Sequence, residues 1–410
     1  MADRTTCVVI GGGPAGMMLG LLLARAGVEV TVLEKHGDFL RDFRGDTVHP
    51  STMQLLDELG LGKRFATLPQ SRLHEVAIPI DADHRVVVGD LRRLNVAHPY
   101  IAMVPQWDLL TLLAEAGARE PCYSLRMRTE ATELIRESGR VHGVRYRTED
   151  GTSGEIRAEV TVACDGRWSI AHQQPDLRPK EYPVPLDTWW CRLPGKPAHE
   201  LPALEPVAGK GRLVLIIPRE DFLQLAYIAK KGIDPELRAR GIESFRRDLT
   251  ELLPGLADQI GALASMDDVK HLDVRLNWLV RWSVDGLLCI GDAAHAMSPM
   301  GGVGINLAVQ DAVAAATLLT DPLRRGAVTP ATLAKVRARR LPPTIAVQLM
   351  QRVMHRTFVV PMVEGRRAGP SKPVLAFLRR VPQASFIPAY LIGVGLRPEH
   401  APEFARRPSS

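Results

Sequence analysis

The chain has 410 residues with 46% hydrophobic and 24% charged residues, proportions that are ordinary for a globular protein. Its length suggests two closely connected domains. Met1 leads almost directly into an apolar strand without a signal peptide, and no apolar run could span a bilayer. We therefore expect a cytoplasmic protein with no stable membrane insertion.

The net charge of +6 is spread along the chain rather than focused. Arginines concentrate in the C-terminal part of the chain, at helix-like intervals. This pattern predicts solvated helical faces, and we expect no nucleic-acid partner. Weak membrane-surface contact through residues 372–396 stays open, as does the choice between a monomer and a homodimer. The five cysteines lack metal-ligand spacing, so no metal site is predicted.

The first predicted unit is a strand, a glycine turn and a helix from Pro14 to about Ala26. Glycine permits the turn and a close backbone approach, and the helix N-terminus attracts a pyrophosphate. An acidic residue after the next apolar run can accept hydrogen bonds from ribose hydroxyls. This unit alone does not distinguish NAD from FAD. Its candidate cofactor-binding residues are Gly11, Gly13, Pro14, Ala15, Gly16, Glu34 and Lys35.

Two later strands also end beside an aspartate. The second aspartate is followed by a Pro- and Gly-rich stretch and a helical pattern to about Leu319, whose N-terminus could face a flavin that carries negative charge when reduced. Together with the first unit, these segments favour FAD. The glycines in the stretch are predicted to give its loop freedom of movement. The candidate residues are Asp165, Gly166, Gly291, Asp292, Pro299, Gly301, Gly302, Ile305 and Asn306.

Strand-like segments between these units predict a separate substrate-binding domain, formed by residues 71–98 and 181–274. Trp190 and Gln224 are its candidate substrate-binding residues, although strand alternation does not say which face each side chain takes. Residues 1–70, 99–180 and 275–370 form a discontinuous FAD-binding domain. Residues 371–410 form a C-terminal helical segment and tail, and Pro342-Pro343 is predicted to start a further helix.

In combination, the three motifs resemble the class A FAD-dependent aromatic monooxygenases, the group of para-hydroxybenzoate hydroxylase and phenol hydroxylase. The resemblance implies an α/β fold with a glutathione-reductase-type FAD/NAD(P)-binding Rossmann-like domain, an inserted β-sheet substrate domain and C-terminal helices. It also implies that Asp165 and Gly166 contact both FAD and NAD(P)H and that Asp292 holds the ribityl chain. Arg44 matches an arginine near the FAD ribose and pyrophosphate, and Gln106 stands where many members have arginine.

The implied activity is hydroxylation of an aromatic or polycyclic small molecule through a C4a-hydroperoxyflavin, using non-covalent FAD, O2 and NADH or NADPH. Because the cofactor carries this chemistry, the lack of a catalytic triad or paired acids is consistent with this activity. No catalytic residue is assigned. The position of His295 suggests a role in the cofactor loop rather than as a general base. The open alternatives are a flavin-dependent reductase of the geranylgeranyl-reductase type, a halogenase, and a non-catalytic flavin-binding redox sensor.

Overall fold

The computed structural model of the chain describes residues 3–40, 47–79, 85–195, 202, 204–219, 221–366, 380 and 385–408. Arg44 lies outside these residues, as do 372–379 and 381–384 of the segment 372–396 that was considered for membrane contact. Of the described helices, none combines the length and the apolar character that crossing a membrane requires.

The largest sheet has eight strands and a parallel centre. Three antiparallel strands extend it. Ser283–Val284 lies at one edge, while Arg140–Thr148 pairs with the first half of Ser153–Ala163 and also with Thr129–Glu137. The central strands are buried on both faces, as parallel strands covered by helices must be. In spatial order the five parallel strands are Leu287–Cys289, Ser153–Ala163, Asp3–Ile10, Val30–Leu33 and Tyr123–Arg126.

Helices Pro14–Arg25 and Gly304–Arg324 pack against each other and bury most of their side chains. Both confirm helices predicted from the sequence. Gln106–Gly117 also packs on Pro14–Arg25, and Pro50–Glu58 lies against the long helix Gly304–Arg324. These helices enclose the main hydrophobic core around the parallel strands.

A second sheet of five antiparallel strands stands apart from the first. One face packs against the helix Gly241–Leu252, whose Phe245 and Leu249 meet Trp189 and Tyr227 in a separate core. Short helices Asp234–Ala239 and Ala257–Gly261 flank it. The strands are, in spatial order, Glu205–Gly209, Arg212–Pro218, Phe222–Lys230, Leu186–Pro194 and Lys270–Leu272.

Smaller sheets connect the two large ones. In the predicted substrate segment 71–98, the strands Glu75–Pro79 and Arg85–Asp90 form a hairpin that, among the described residues, does not join the five-stranded sheet. The other small sheets pair Pro179–Tyr182 with Leu276–Leu279, and Ile101–Met103 with both Thr47–Val48 and Ser71–Leu73. Short helical segments are Gly62–Ala66, Leu91–Arg93, Gly166–Trp168, Ile170–Gln173, Pro175–Leu177, Pro254–Leu256, Met266–Asp268, Gly291–Ala293 and Glu403–Ala405.

The prediction of a helix start at Pro342-Pro343 is wrong, because both prolines lie inside one helix, Pro330–Met354. Each proline removes one intrahelical hydrogen bond. The helix nevertheless continues because its inner face is buried: Pro343 and Thr344 are inaccessible, and the Thr344 hydroxyl donates to the Arg340 carbonyl at 2.9 Å. The chain then continues through a π-helical turn, His355–Val359, and the helices Val360–Val363 and Phe386–Gly393.

Candidate functional site

Four predicted segments meet at one edge of the eight-stranded sheet. The parallel strands Asp3–Ile10, Val30–Leu33, Ser153–Ala163 and Leu287–Cys289 all end there. The residues that follow them are the glycine turn, Glu34, Asp165 and the Gly291-Asp292 pair. The carboxyl edge of an open α/β sheet is where nucleotide ligands bind.

The glycine turn leaves no room for side chains on its inner side. Gly11 has φ +97°, and a Cβ added there would lie 2.7 Å from the Cys164 carbonyl oxygen. A Cβ added to Gly16 would lie 2.0 Å from the Gly11 carbonyl oxygen. Gly13, at the N-cap of helix Pro14–Arg25, would meet no atom within 4 Å. The turn is thus closely packed at Gly11 and Gly16 and open at Gly13, next to the N-terminus of the helix. Ala15 is buried in the core.

Glu34 lies directly after the second strand, is 2% exposed and is tied into this turn. Its Oε2 accepts a hydrogen bond from the Gly12 N–H at 2.8 Å, and its Oε1 accepts one from the His36 N–H at 3.0 Å. The neighbouring Lys35 is exposed. The carboxylate is therefore fixed beside the open face of the glycine turn.

Two aspartates at this edge keep unused acceptor capacity. Asp165 Oδ2 accepts the Ile170 N–H at 2.9 Å, but its buried Oδ1 has no hydrogen-bond partner among the described residues. Burial raises the pKa of the Asp165 carboxyl, and the Ser169 hydroxyl and Ile170 N–H offset part of that rise. No described residue donates to or forms an ion pair with the half-buried Asp292 carboxylate. Gly166, at φ +83°, would also accommodate a Cβ with no atom within 4 Å.

The loop between Pro299 and Gly304 is pinned on one side. The Gly302 carbonyl accepts hydrogen bonds from the Thr47 hydroxyl at 2.6 Å and from His49 Nε2 at 3.0 Å. Burial lowers the pKa of His49 to about 4, so the ring is neutral with its proton on Nε2. The expected freedom of this loop is therefore restricted at Gly302.

The long helix Gly304–Arg324 begins directly after this loop, and a Cβ added to Gly304 would meet no atom within 4 Å. Ile305 is buried in the core. The Asn306 side-chain oxygen accepts the hydroxyls of Ser51 and Thr52 at 2.9 and 2.6 Å. Asn306 thus fixes the start of this helix to the neighbouring helix Pro50–Glu58.

A buried charge network beneath the Gly291-Asp292 turn was missed by the sequence analysis. His295 Nε2 and Asp311 Oδ2 lie 2.5 Å apart, and Asp311 also accepts from Arg340 Nε at 3.0 Å and from the Gly291 N–H at 3.1 Å. Burial raises the pKa of Asp311, but His295, Arg340 and the Gly291 N–H lower it by more. Arg340 is 1% exposed, whereas its position among the late arginines predicted a solvated face. The sequence signal for this network was Asp311, an acidic residue inside an otherwise apolar helical pattern.

The five-stranded sheet turns Trp190 and Gln224 toward the same face, because Arg192 pairs with Gln224 and Trp190 with Ala226. The Gln224 side-chain oxygen accepts from Arg219 Nε at 3.1 Å. On this inner face, Leu213 and Ile228 belong to a cluster against which Met300 packs. The inner face therefore meets the Pro299–Gly304 loop.

Gln106 is the first residue of helix Gln106–Gly117, near this junction. The Met103 carbonyl just before it accepts a hydrogen bond from Arg219 Nη1 at 3.0 Å. The helix therefore starts beside the polar pair of Arg219 and Gln224. Arg44, predicted to contact the same ligand, lies outside the described residues.

These residues fit FAD. Open positions at Gly13, Gly166 and Gly304 permit close approach of a ligand to three backbone turns. Two carboxylates with free acceptor capacity, Asp165 and Asp292, suit hydroxyl donors such as those of ribose and the ribityl chain. Helix N-termini at Pro14 and Gly304 suit a pyrophosphate and a ring that becomes negatively charged.

The family model of the FAD binding domain matches residues 4–352. The 6-methylpretetramide 4-monooxygenase of Streptomyces rimosus is 34% identical over 397 residues, covering 94% of this chain and 90% of the relative. Para-nitrophenol 4-monooxygenase of Pseudomonas sp. is 27% identical, covering 78% of this chain and 79% of the relative. The solved structure of anhydrotetracycline hydroxylase from Streptomyces rimosus has the same fold, with a TM-score of 0.75 at 24% identity over 98% of this chain and 78% of that one.

Proposed function

The chain belongs to the class A FAD-dependent aromatic monooxygenase family, and we propose that it uses NADH or NADPH to hydroxylate a polycyclic phenolic small molecule. As a family member it is an FAD-dependent oxidoreductase of the hydroxylase type. The observation that carries the polycyclic substrate is the 34% identity to 6-methylpretetramide 4-monooxygenase, which extends over both large sheets and not only over the cofactor motifs.

In this proposal residues 1–70, 99–180 and 275–370 form the glutathione-reductase-type FAD-binding domain, and residues 71–98 and 181–274 form the substrate-binding domain. Glu34 and the glycine turn hold the adenosine and pyrophosphate, with Arg44 and Gln106 beside them. Asp292 holds the ribityl chain, and Asp165 with Gly166 supports FAD and the nicotinamide donor. The proposal is supported by the unused acceptors of Asp165 and Asp292 and by the open positions at the glycines.

Bound FAD supplies the oxygen activation, and the chain's own residues position and shield the reactants. The N–H groups at the start of helix Gly304–Arg324 stabilise negative charge at the ring edge. The apolar residues of the inner face, such as Leu213 and Ile228, exclude water from the substrate. Because His295 is held by Asp311 and is 1% exposed, it supports the Gly291-Asp292 turn rather than moving a substrate proton.

Purification and a substrate screen test this proposal. The chain loaded with FAD should be yellow and should release intact FAD on acid precipitation. Oxygen-dependent oxidation of NADH or NADPH should be accelerated by hydroxylated polycyclic aromatics. Reduction of a substrate without oxygen consumption would instead identify a reductase, and failure to retain FAD would contradict the proposed site.

A further inference from the structure

Two adjacent tryptophans on the strand Leu186–Pro194 point to opposite faces of the five-stranded sheet. Trp189 is fully buried on the outer face, where its Nε1 donates to Asp234 Oδ1 at 2.7 Å and its ring stacks on His271. Trp190 lies on the inner face, opposite Ala226 on the neighbouring strand. The indole N–H of Trp189 is therefore hydrogen-bonded on the outer face. Trp190, on the inner face, has a different environment.

The indole N–H of Trp190 is buried and has no hydrogen-bond partner among the described residues. Buried tryptophan N–H groups usually find an acceptor, because leaving the donor unpaired is unfavourable. Trp282 has a similar N–H, but its ring is completely buried in the core beside His295. Trp190 as a residue is only partly buried, so its ring, unlike that of Trp282, can be reached from outside the core, although the N–H itself is covered.

The apolar neighbours of Trp190 come from separate parts of the fold, while Lys270 pairs with it on the adjacent strand and Arg192 lies on the same face. Trp190 packs against a cluster that includes Leu73 and Met103 of the three-stranded sheet, Ile217 of its own sheet, and Ala389 of the C-terminal helix. A flat aromatic ring would find favourable packing among these side chains. A donor placed among such apolar side chains recognises an oxygen atom of the ring.

This cluster extends to the loop that precedes helix Gly304–Arg324. Ile392 packs against the cluster. Its Cδ1 lies 3.6 Å from the position that a Cβ added to Gly301 would occupy. The loop therefore joins the Trp190 cluster on one side, while Met300 packs on the inner-face residues around Leu213. Trp190 thus belongs to the junction of the two large sheets rather than to a remote part of the surface.

We propose that Trp190 donates its indole N–H to a phenolic or quinone oxygen of the substrate and thereby selects oxygenated aromatic rings over plain hydrocarbons. This inference rests on the proposed function. It defines the substrate as a flat, oxygen-bearing ring system that is recognised by the Trp190 hydrogen bond and by apolar packing. Trp190 acts in binding and specificity, and it takes no part in bond making.

The test compares Trp190→Phe with the matched control Trp189→Phe in the FAD-loaded protein. Both variants keep an aromatic ring and lose one indole N–H, but on opposite faces of the sheet. Dissociation constants are measured from the flavin absorbance change on titration with 1,8-dihydroxyanthraquinone, with 2-naphthol and with naphthalene. FAD content and the thermal midpoint are measured for each variant.

We expect Trp190→Phe to weaken binding of the two oxygenated probes about tenfold and to leave naphthalene unaffected. Trp189→Phe should lower the thermal midpoint and leave the three dissociation constants unchanged. Equal weakening for naphthalene, or unchanged binding of the oxygenated probes by Trp190→Phe, would overturn the role of the indole N–H and leave the monooxygenase function standing. If the wild-type protein bound neither oxygenated probe, the proposed substrate class would fall, and this inference with it.

Discussion

The Glu34 carboxylate accepts a hydrogen bond from the Gly12 N–H at 2.8 Å, so the end of the second strand is tied directly to the glycine turn after the first. Asp292, at the end of a third strand, has no such partner among the described residues. The two acidic residues at this edge therefore differ in what they do before any ligand binds. The Glu34 carboxylate is engaged with backbone N–H groups of the chain, whereas in our proposal the Asp292 carboxylate accepts hydrogen bonds from FAD.

Glu34→Ala should weaken FAD binding and also destabilise the apoprotein. The variant loses the acceptor for the Gly12 and His36 N–H groups, and a hydrogen bond to a charged group contributes about 1.5–3 kcal/mol. FAD affinity is measured by quenching of flavin fluorescence, and stability by urea unfolding of the apoprotein. Glu133→Ala, which removes a carboxylate exposed on the surface, is the control and should change neither quantity.

Asp292→Asn should reduce FAD affinity while leaving the stability of the apoprotein unchanged. The substitution keeps the shape of the side chain, and the carboxylate has no partner to lose among the described residues. The loss of a charged acceptor for ribityl hydroxyls should reduce affinity about tenfold or more. Asp258→Asn, at an exposed position, serves as the control. Full flavin occupancy with wild-type affinity in Asp292→Asn would show that this carboxylate does not touch the cofactor.

Asp311→Asn should lower the free energy of unfolding by up to about 3–5 kcal/mol, because it removes one of the two buried carboxylates, Asp311 and Glu399, that pair with the Arg340 guanidinium. His295→Gln should cost less, since it keeps the Asp311–Arg340 pair. Urea unfolding of both variants measures the difference. If Asp311→Asn does not accumulate as folded protein, His295→Gln still tests the general-base alternative through its pH–rate profile. A profile in which His295→Gln abolishes the acidic limb, where a general base becomes protonated, would show that the histidine moves a proton.

Stability should fall in mild acid because of His49. Burial lowers the pKa of this ring from 6.5 to about 4, so below pH 6.5 the unfolded chain binds a proton that the folded chain does not. The contribution is complete above pH 6.5 and declines as the pH falls toward 4, by about 3 kcal/mol in total. His355, whose pKa burial also lowers to about 4, acts in the same direction.

Urea unfolding of wild type and His49→Gln between pH 7.5 and 4 checks this prediction. Glutamine keeps an N–H donor for the Gly302 carbonyl but does not titrate. The variant should show a flatter dependence of the unfolding free energy on pH. An identical slope in the two proteins would mean that the His49 pKa is the same in the folded and unfolded states.

The sequence predicted the strand–turn–helix unit around Gly11 and the helix after Gly304 because both depend on local patterns. It could not predict that the loop is pinned, since Thr47 and Gly302 are 255 residues apart in the chain. The proline rule failed at Pro342-Pro343 for a related reason. Tertiary burial of Pro343 and Thr344 outweighs the local loss of two hydrogen bonds, and no local pattern reports it.

Strand alternation also limited what could be said of the substrate face. Alternation along a strand did not say which face of the sheet Trp190 and Gln224 take. Orientation is set by which face meets the helix Gly241–Leu252, and that is decided by the pairing of distant strands. The donor at Trp190 therefore became visible only once the inner face was known.

The most direct test of the central claim is the fate of molecular oxygen during turnover. The FAD-loaded protein is supplied with NADH or NADPH, a hydroxylated polycyclic aromatic that accelerates its oxidation, and 18O2, and the product is analysed by mass spectrometry. The account predicts that one labelled oxygen atom enters the ring system for each coupled turnover. A reduced product, or a product oxygen that carries the isotope of water rather than of O2, would contradict it.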